Sequence, residues 1–324
     1  MIRITDRTLS CLDAYTPEPA SLARFLRLLI ELEPDVIELS ERAYGLLTPL
    51  PDGAAYLLRL DAPGDAARYP ELSQFVCRNA PDGSDGSMLT EIVLNDMREA
   101  NTIARYSGYA RLRICGLEDL LLADCRAVFR RLGELFPHRL EYCPTDGFRF
   151  ASALAAEWAS FGAGGEVVTA FGGIGGFAPT EEVVLALRLL RARRAGRSYA
   201  FLPEMAAVFE EITGRPFAAN KPILGAGIFR VESGVHVDGI SKQPKCYEPF
   251  PPETVGQRRR IILGKQSGLK SVRLKLAELG LTCGETRLAA LLARVKAVSD
   301  AQNRALGDDE FAALAREFAA GESA

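Results

Sequence analysis

At 324 residues the chain has room for one large domain with an appendage, or for two domains. With 48% hydrophobic and 25% charged residues it has the make-up of a globular protein that buries a sizeable core. Its 39 basic and 42 acidic residues give a net charge of −3, so the basic excess that a nucleic-acid partner demands is missing.

In chain order, Ile2-Arg3-Ile4 opens a strand. Ser21 to Leu32 then places apolar residues at helical spacing behind an entry with Pro17 and Pro19. Val36 to Leu39 and Ala55 to Leu60 read as strands, and Glu91 to Leu94 continues the series with a helix from Asp96 to Tyr106 behind it. Leu112 to Cys115 is the next strand, followed by a helix from Glu118 to Leu135. Arg139 to Cys143 and Val167 to Phe171 complete the strands, with helices over 151–161 and 180–194. This alternation predicts a parallel sheet, open or closed into a barrel, and the count of seven strands is one short of a full (βα) barrel.

The alternation stops at the basic run from Arg191 to Arg197, which reads as a helix end where cations suit the dipole. The boundary is therefore set there: 1–197 for the strand–helix region and 198–324 for an α-rich remainder. Within the remainder, helices are predicted over 200–214, 268–279 and 286–299, around an irregular Gly- and Pro-bearing segment over 215–260. The N-terminus has no apolar signal core, and no apolar run approaches the ~18 residues of a membrane span. Cys11, Cys77, Cys115, Cys125, Cys143, Cys246 and Cys283 form no CxxC pair. The expectation is a cytoplasmic protein with reduced thiols, with no membrane and no nucleic acid among its partners.

Scarcities narrow the chemistry. All seven lysines lie beyond residue 220, and the two histidines are His138 and His236. The first two-thirds of the chain therefore offers no Lys for a Schiff base and no histidine-rich metal site.

Residues 202–280 carry six motifs in succession: Thr213-Gly214, Asn220 to Gly225, Glu232 to Gly239, Tyr247 to Phe250, Pro252 to Gly256, and Leu263 to Gly268. The series resembles the region that follows the barrel in the homocitrate synthase and 2-isopropylmalate synthase family, with Gln266 where that family tends to carry His. The resemblance implies a pyruvate-carboxyltransferase-like TIM barrel that condenses an acyl-CoA with a 2-oxo acid. In the family a divalent metal polarises the keto acid and a base generates the acyl-CoA enolate. It further implies dimerisation, with His236 and Tyr247 reaching a neighbouring subunit's active site.

The family's catalytic positions are altered here. Where the first strand of the family ends in Asp-Thr-Thr-Leu-Arg-Asp-Gly, this chain reads Asp6-Arg7-Thr8-Leu9-Ser10-Cys11-Leu12. Ser10 then stands for the catalytic Arg and Cys11 for a metal ligand. Cys143 and Thr145 stand at the family's His-x-His ligands. The stretch from Thr169 to Gly176 keeps the Thr of Thr-x-x-Asn-Gly-x-Gly-Glu but has Gly at the Asn and Glu positions. Losing one electrostatic contributor to a transition state costs on the order of 10²–10³ in rate, and several are absent together.

The candidates that remain are Glu38, His236 and Tyr247 for catalysis and Thr169 and Arg59 for substrate, with no metal or other cofactor expected. Taken on their own, Cys11 and Cys143 read as packed thiols rather than zinc ligands. Asp6, Glu38 and Asp146 are hard-oxygen donors, but such a carboxylate more often caps a loop or pairs with an Arg such as Arg59. The glycines from Gly172 to Gly176 read as a close-approach turn rather than a phosphate loop, Glu118-Asp119 and Glu181-Glu182 as helix starts, and Trp158 as core. Only a short stretch separates Asp124 from Cys143, which together with the strand count predicts a TIM-like barrel missing one βα unit.

The expected function is thus that of a divergent homocitrate synthase-like acyltransferase that does not run the parental condensation efficiently. The alternative is a non-catalytic regulatory or ligand-binding paralogue. It would hold an acyl-CoA or a 2-oxo acid, and would form a homodimer or a heteromer with a related active synthase. A third reading is a metal-free reaction using Glu38, Cys11 or Cys143.

Overall fold

The computed structural model describes residues 3–81, 86–137, 140–161, 165–190 and 198–320; the basic run from Arg191 to Arg197 lies outside them. The chain divides into two compact units. The first holds residues 1–197, 201–217 and 222–224, and the second holds 198–200, 218–221 and 225–324.

In the first unit eight parallel strands close into a barrel in sequence order. They are β1 (Ile4–Asp6), β2 (Val36–Ser40), β3 (Ala55–Leu60), β4 (Phe75–Arg78), β5 (Met88–Leu94), β6 (Leu112–Gly116), β7 (Leu140–Pro144) and β8 (Glu166–Thr169). β1 pairs with both β2 and β8, which removes any free edge. The barrel with an α-rich C-terminal region is the predicted class, but the missing strand is not missing. β4 supplies it, four residues long and bounded by polar Gln74 and Asn79, too short to show a period.

What is abbreviated is the helical layer. A 3-10 turn, Pro63–Arg68, joins β3 to β4, and β5 begins at Met88, too soon after Arg78 for a helical return of a dozen or more residues. Elsewhere the unit carries α1 (Thr8–Cys11), α2 (Pro19–Leu32), α3 (Glu41–Leu47), α4 (Met97–Ala100), α5 (Cys125–Leu135), α6 (Ala151–Phe161), α7 (Thr180–Val184) and α8 (Leu202–Thr213). Pro19 opens α2, and Leu22, Phe25, Leu26, Leu29 and Leu32 form its buried stripe. The Asp96–Tyr106 helix shrinks to α4 and a 3-10 turn, Ile103–Tyr106.

The Asp124 carboxylate accepts from the Ala127 N–H and starts α5 there, so Glu118-Asp119 precedes the helix rather than opening it. Glu181 and Glu182 do lie in the first turn of α7. Trp158 is core: its ring meets Phe129 and Tyr142 edge-on, and its indole N–H donates to the Glu166 carbonyl at 3.1 Å.

The second unit pairs two short parallel strands, β9 (Arg230–Val231) and β10 (Arg260–Ile261). Its helices are α9 (Gly234–Lys242), α10 (Leu269–Glu278), α11 (Leu288–Gln302) and α12 (Asp308–Ala320). Leu263, Val272, Leu276, Leu291, Val295 and Phe311 make its core. α9 falls in the stretch predicted to be irregular, because two glycines and two valines among its first six residues are weak helix formers. A Lys242–Asp238 pair at 2.6 Å spans its last turn.

Candidate functional site

Alternation along each strand decides what faces the barrel interior. Val36, Leu57, Val76 and Leu89, from β2 to β5, pack together as one apolar layer. Two residues further along β2, β3, β5, Glu38, Arg59 and Glu91 face the same way. Arg113 of β6 and Glu141 of β7 are aligned with Glu91 in the sheet register, giving a row that reads minus, plus, minus.

These side chains form one buried ionic lattice. Arg113 is fully buried and reaches Glu38 across the interior, since β2 and β6 are not neighbours. It also bonds Glu91 at 3.2 Å and Glu141 at 2.7 Å. Arg59 bridges Glu38 at 2.7 Å and Glu91 at 2.5 Å. Arg7, just past the end of β1, completes the set: its Nη1 lies 3.4 Å from Glu91 and its Nε 3.8 Å from Glu38. Burial alone pushes the Glu91 carboxyl up, but Arg113, Arg7 and Arg59 outweigh it and hold the group at about 2. Burial likewise raises Glu38, and the same three guanidiniums bring it well below the usual carboxylate range.

Arg7 also occupies the next layer toward the C-terminal ends of the strands. Its Nη1 lies 3.5 Å from Cys143 Sγ and 3.8 Å from Cys115 Sγ, and its guanidinium sits 4.1 Å from the centre of the Phe177 ring. Arg7 Nε and the nearby Ser10 Oγ are buried without a hydrogen-bond partner.

Behind β1, on the other side of the strand, Asp6 is fully buried among hydroxyls. It accepts from Thr8 N at 2.8 Å, from Thr8 Oγ1 at 3.0 Å and from Thr180 Oγ1. Burial pushes its carboxyl up to about 6 against these hydrogen bonds, with the Glu181 charge adding to the rise. Thr169 is tied into the same cluster through Thr180 Oγ1 at 2.9 Å.

The sequence-predicted residues therefore separate into three places. Glu38 and Arg59 meet in the lattice, paired with each other. Thr169 lies in the Asp6 cluster. His236 and Tyr247 lie in the second unit, ring centres 5.6 Å apart, both exposed. His236 and Gly239 are neighbours on one face of α9, and any Cβ at Gly239 would sit 2.2 Å from the Tyr247 hydroxyl, so glycine allows the tyrosine to close in. The pair lines a cavity of about 260 Å³ with Ile228, Phe229, Arg230 and Ile240. Glu248 beside it is held by a two-point bond from Arg259, both contacts 2.7 Å.

Four members of the lattice, Arg7, Glu91, Arg113 and Glu141, were not among the sequence candidates. Their signal was present for three of them: Glu91, Arg113 and Glu141 are each the one charged residue of their strand, as in Leu112-Arg113-Ile114.

The residues at the family's metal positions do not fit a dication. Cys143 is fully buried and faces the Arg7 cation, and burial pushes the Cys11 thiol up to about 12 despite Arg7 nearby. Thr145 is bridged to Phe177 in the backbone, and Asp146 Oδ1 accepts from the Ala151 N–H at the start of α6. Among the described residues no group of three or more His, Cys, Asp or Glu side chains is arranged to hold a metal ion. Nor, among them, is any helix long and apolar enough to cross a membrane.

The glycine stretch after β8 is a close-approach turn. Gly172, Gly173, Gly175 and Gly176 all have positive φ, and a Cβ on Gly172 would stand 2.6 Å from the Phe217 ring.

Comparison with known proteins adds the following. A family model described as homocitrate synthase post-HMGL domain-like matches residues 223–303. The homocitrate synthase omega subunit of Clostridium pasteurianum is 26% identical over 317 residues, covering 92% of this chain and 90% of that protein. A putative (R)-citramalate synthase of Methanosphaerula palustris is 41% identical over 234 residues, covering 72% of this chain but only 45% of that protein's own length. Among solved structures, the hydroxymethylglutaryl-CoA lyase of Pseudomonas aeruginosa superposes with a TM-score of 0.51 at 15% identity, over 66% of this chain and 93% of the lyase. That likeness concerns the barrel fold alone.

Proposed function

Because the chain belongs to the homocitrate synthase and 2-isopropylmalate synthase family as a divergent member, we propose that it acts as the non-catalytic partner of an active synthase. Its own barrel does not run the acyl-CoA condensation, and its C-terminal unit offers His236 and Tyr247 to the partner's site. One observation carries the first half of the reading. The layer above Glu38, where the family's chemistry would lie, holds the Arg7 guanidinium against Cys143 and under Phe177.

A fixed cation there repels a second one, since two like charges in a poorly screened interior cost several kcal/mol. Glu38, ionised and bound by three guanidiniums, has little basicity left for proton abstraction, which works best with a group poised near the operating pH. The second half is supported by the exposure of His236 and Tyr247 on their cavity and by the name of the Clostridium pasteurianum relative, an omega subunit.

The test is co-expression of the tagged chain with a complete synthase of the family from the same cell. Co-purification in fixed ratio, with CoA release from acetyl-CoA and a 2-oxo acid that falls when His236→Ala is introduced into this chain, is the expected result. CoA release by this chain purified alone would overturn the reading.

A further inference from the structure

Cys115 and Cys143 are register partners on neighbouring strands β6 and β7. Adjacent strands lie about 4.8 Å apart, inside the ~4.4–6.8 Å between Cα atoms that a disulfide accepts. Their side chains face the same side, because one nitrogen, Arg7 Nη1, touches both sulfurs. The pair packs against Val168 and the partly exposed Phe177. Its thiols are the next layer above the Arg113–Glu141 row, so the structure gives them a cation on one flank and apolar cover on the other.

From this placement we propose that Cys115 and Cys143 form a dithiol centre that hydroperoxides oxidise to a disulfide. The proposal is independent of whether the chain pairs with a synthase.

The thiol that reacts first is Cys143. Burial raises its pKa, but a hydrogen bond from the Cys115 thiol and the charges of Arg7 and Arg113 reverse this and leave it below the ordinary thiol value. Cys115 moves the other way, through the same hydrogen bond first and burial second, and remains a thiol. A thiolate beside a neutral thiol is the arrangement that peroxide chemistry uses.

The Cys143 thiolate attacks one oxygen of the peroxide and the O–O bond breaks. Cys143 becomes a sulfenic acid and the other oxygen leaves as hydroxide, or as alkoxide from an alkyl hydroperoxide. Cys115 sulfur then attacks the sulfenic sulfur, the S–O bond breaks, and the Cys115 proton leaves with that oxygen as water. The thiolate and the thiol together lose two electrons and one proton, and the peroxide is reduced by the same two electrons to water and a hydroxide or alkoxide. The disulfide withdraws the thiolate from Arg7, so oxidation leaves that guanidinium with Glu38, Glu91 and Phe177 as its remaining near neighbours.

The experiment is treatment of the native, full-length chain with hydrogen peroxide, followed by alkylation of remaining thiols and peptide mass mapping without reduction. The expected product joins the tryptic peptide 114–126 to peptide 140–149, with a mass loss of two hydrogen atoms and full reversal by dithiothreitol. Fragment sequencing must assign the link to Cys115, since Cys125 lies on the same peptide. The Cys115→Ser chain, lacking the second thiol, is expected to stop at a Cys143 sulfenic acid that dimedone traps. Linkage of Cys143 to Cys11, or survival of both thiols under conditions that consume the exposed Cys246, would overturn the proposal.

Discussion

The barrel interior and the C-terminal unit have kept different things. In the barrel the architecture is that of the family's fold, and the charges buried in its interior neutralise one another. Toward the C-terminus the motif series runs from Asn220 to Gly268 with Gln266 as its departure, and His236 and Tyr247 face solvent on a cavity. The lesson is that a fold and its chemistry rest on separable residues. A closed (βα) barrel needs alternating side chains that fill its interior, and salt-bridged Glu and Arg fill it as well as a substrate site would. An exposed His–Tyr pair, by contrast, contributes little to stability, so its presence fits a role in contact with something else.

The comparison can be broken most directly at Arg113. Replacing it with Met leaves Glu38, Glu91 and Glu141 without their shared cation, and chemical denaturation is expected to register a loss of about 3–5 kcal/mol. A loss under about 1 kcal/mol would mean that the lattice does not hold the barrel together.

Asp6 gives a pH signature of similar origin. Its carboxyl titrates near 6 when folded against an ordinary value of 3.8, so the folded chain holds the proton more tightly than the unfolded one. Stability should therefore fall as pH rises from about 4 to 6, by roughly 3 kcal/mol from this group. Asp6→Asn should flatten that slope in urea titrations run across the interval, and an unchanged slope would remove Asp6 as its source.

Gly172→Ala comes next in size. It places a side chain at a φ of 64° and against the Phe217 ring, and a cost of about 1–2 kcal/mol in thermal or chemical unfolding is expected. The smallest effect on folding belongs to His236→Ala and Tyr247→Phe, within about 0.5 kcal/mol of the parent, while both lower CoA release by the reconstituted pair. If the two variants unfold the chain instead, the exposed pair is structural and the contrast between the units weakens.

The sequence showed the barrel class because strands and helices alternate, and showed the C-terminal relationship because its motifs are contiguous. It under-counted the strands because β4, Phe75-Val76-Cys77-Arg78, is short and has no helix after it. It hid α9 because helix formation there overrides weak local preference. Of the site, the Glu38–Arg59 pairing was legible, since both sit one layer above apolar strand residues. The rest of the lattice was not. Which guanidinium meets which carboxylate depends on barrel closure, which brings β2 opposite β6, and no local pattern encodes that.

The claim that this barrel has exchanged its family's cation site for Arg7 is tested most directly by titrating the purified chain with manganese(II) and following the electron paramagnetic resonance signal of the free ion. The account predicts a signal that grows in proportion to added metal, as in protein-free buffer. A saturable loss of signal at one ion per chain, abolished by Asp6→Asn or Cys143→Ser, would contradict it.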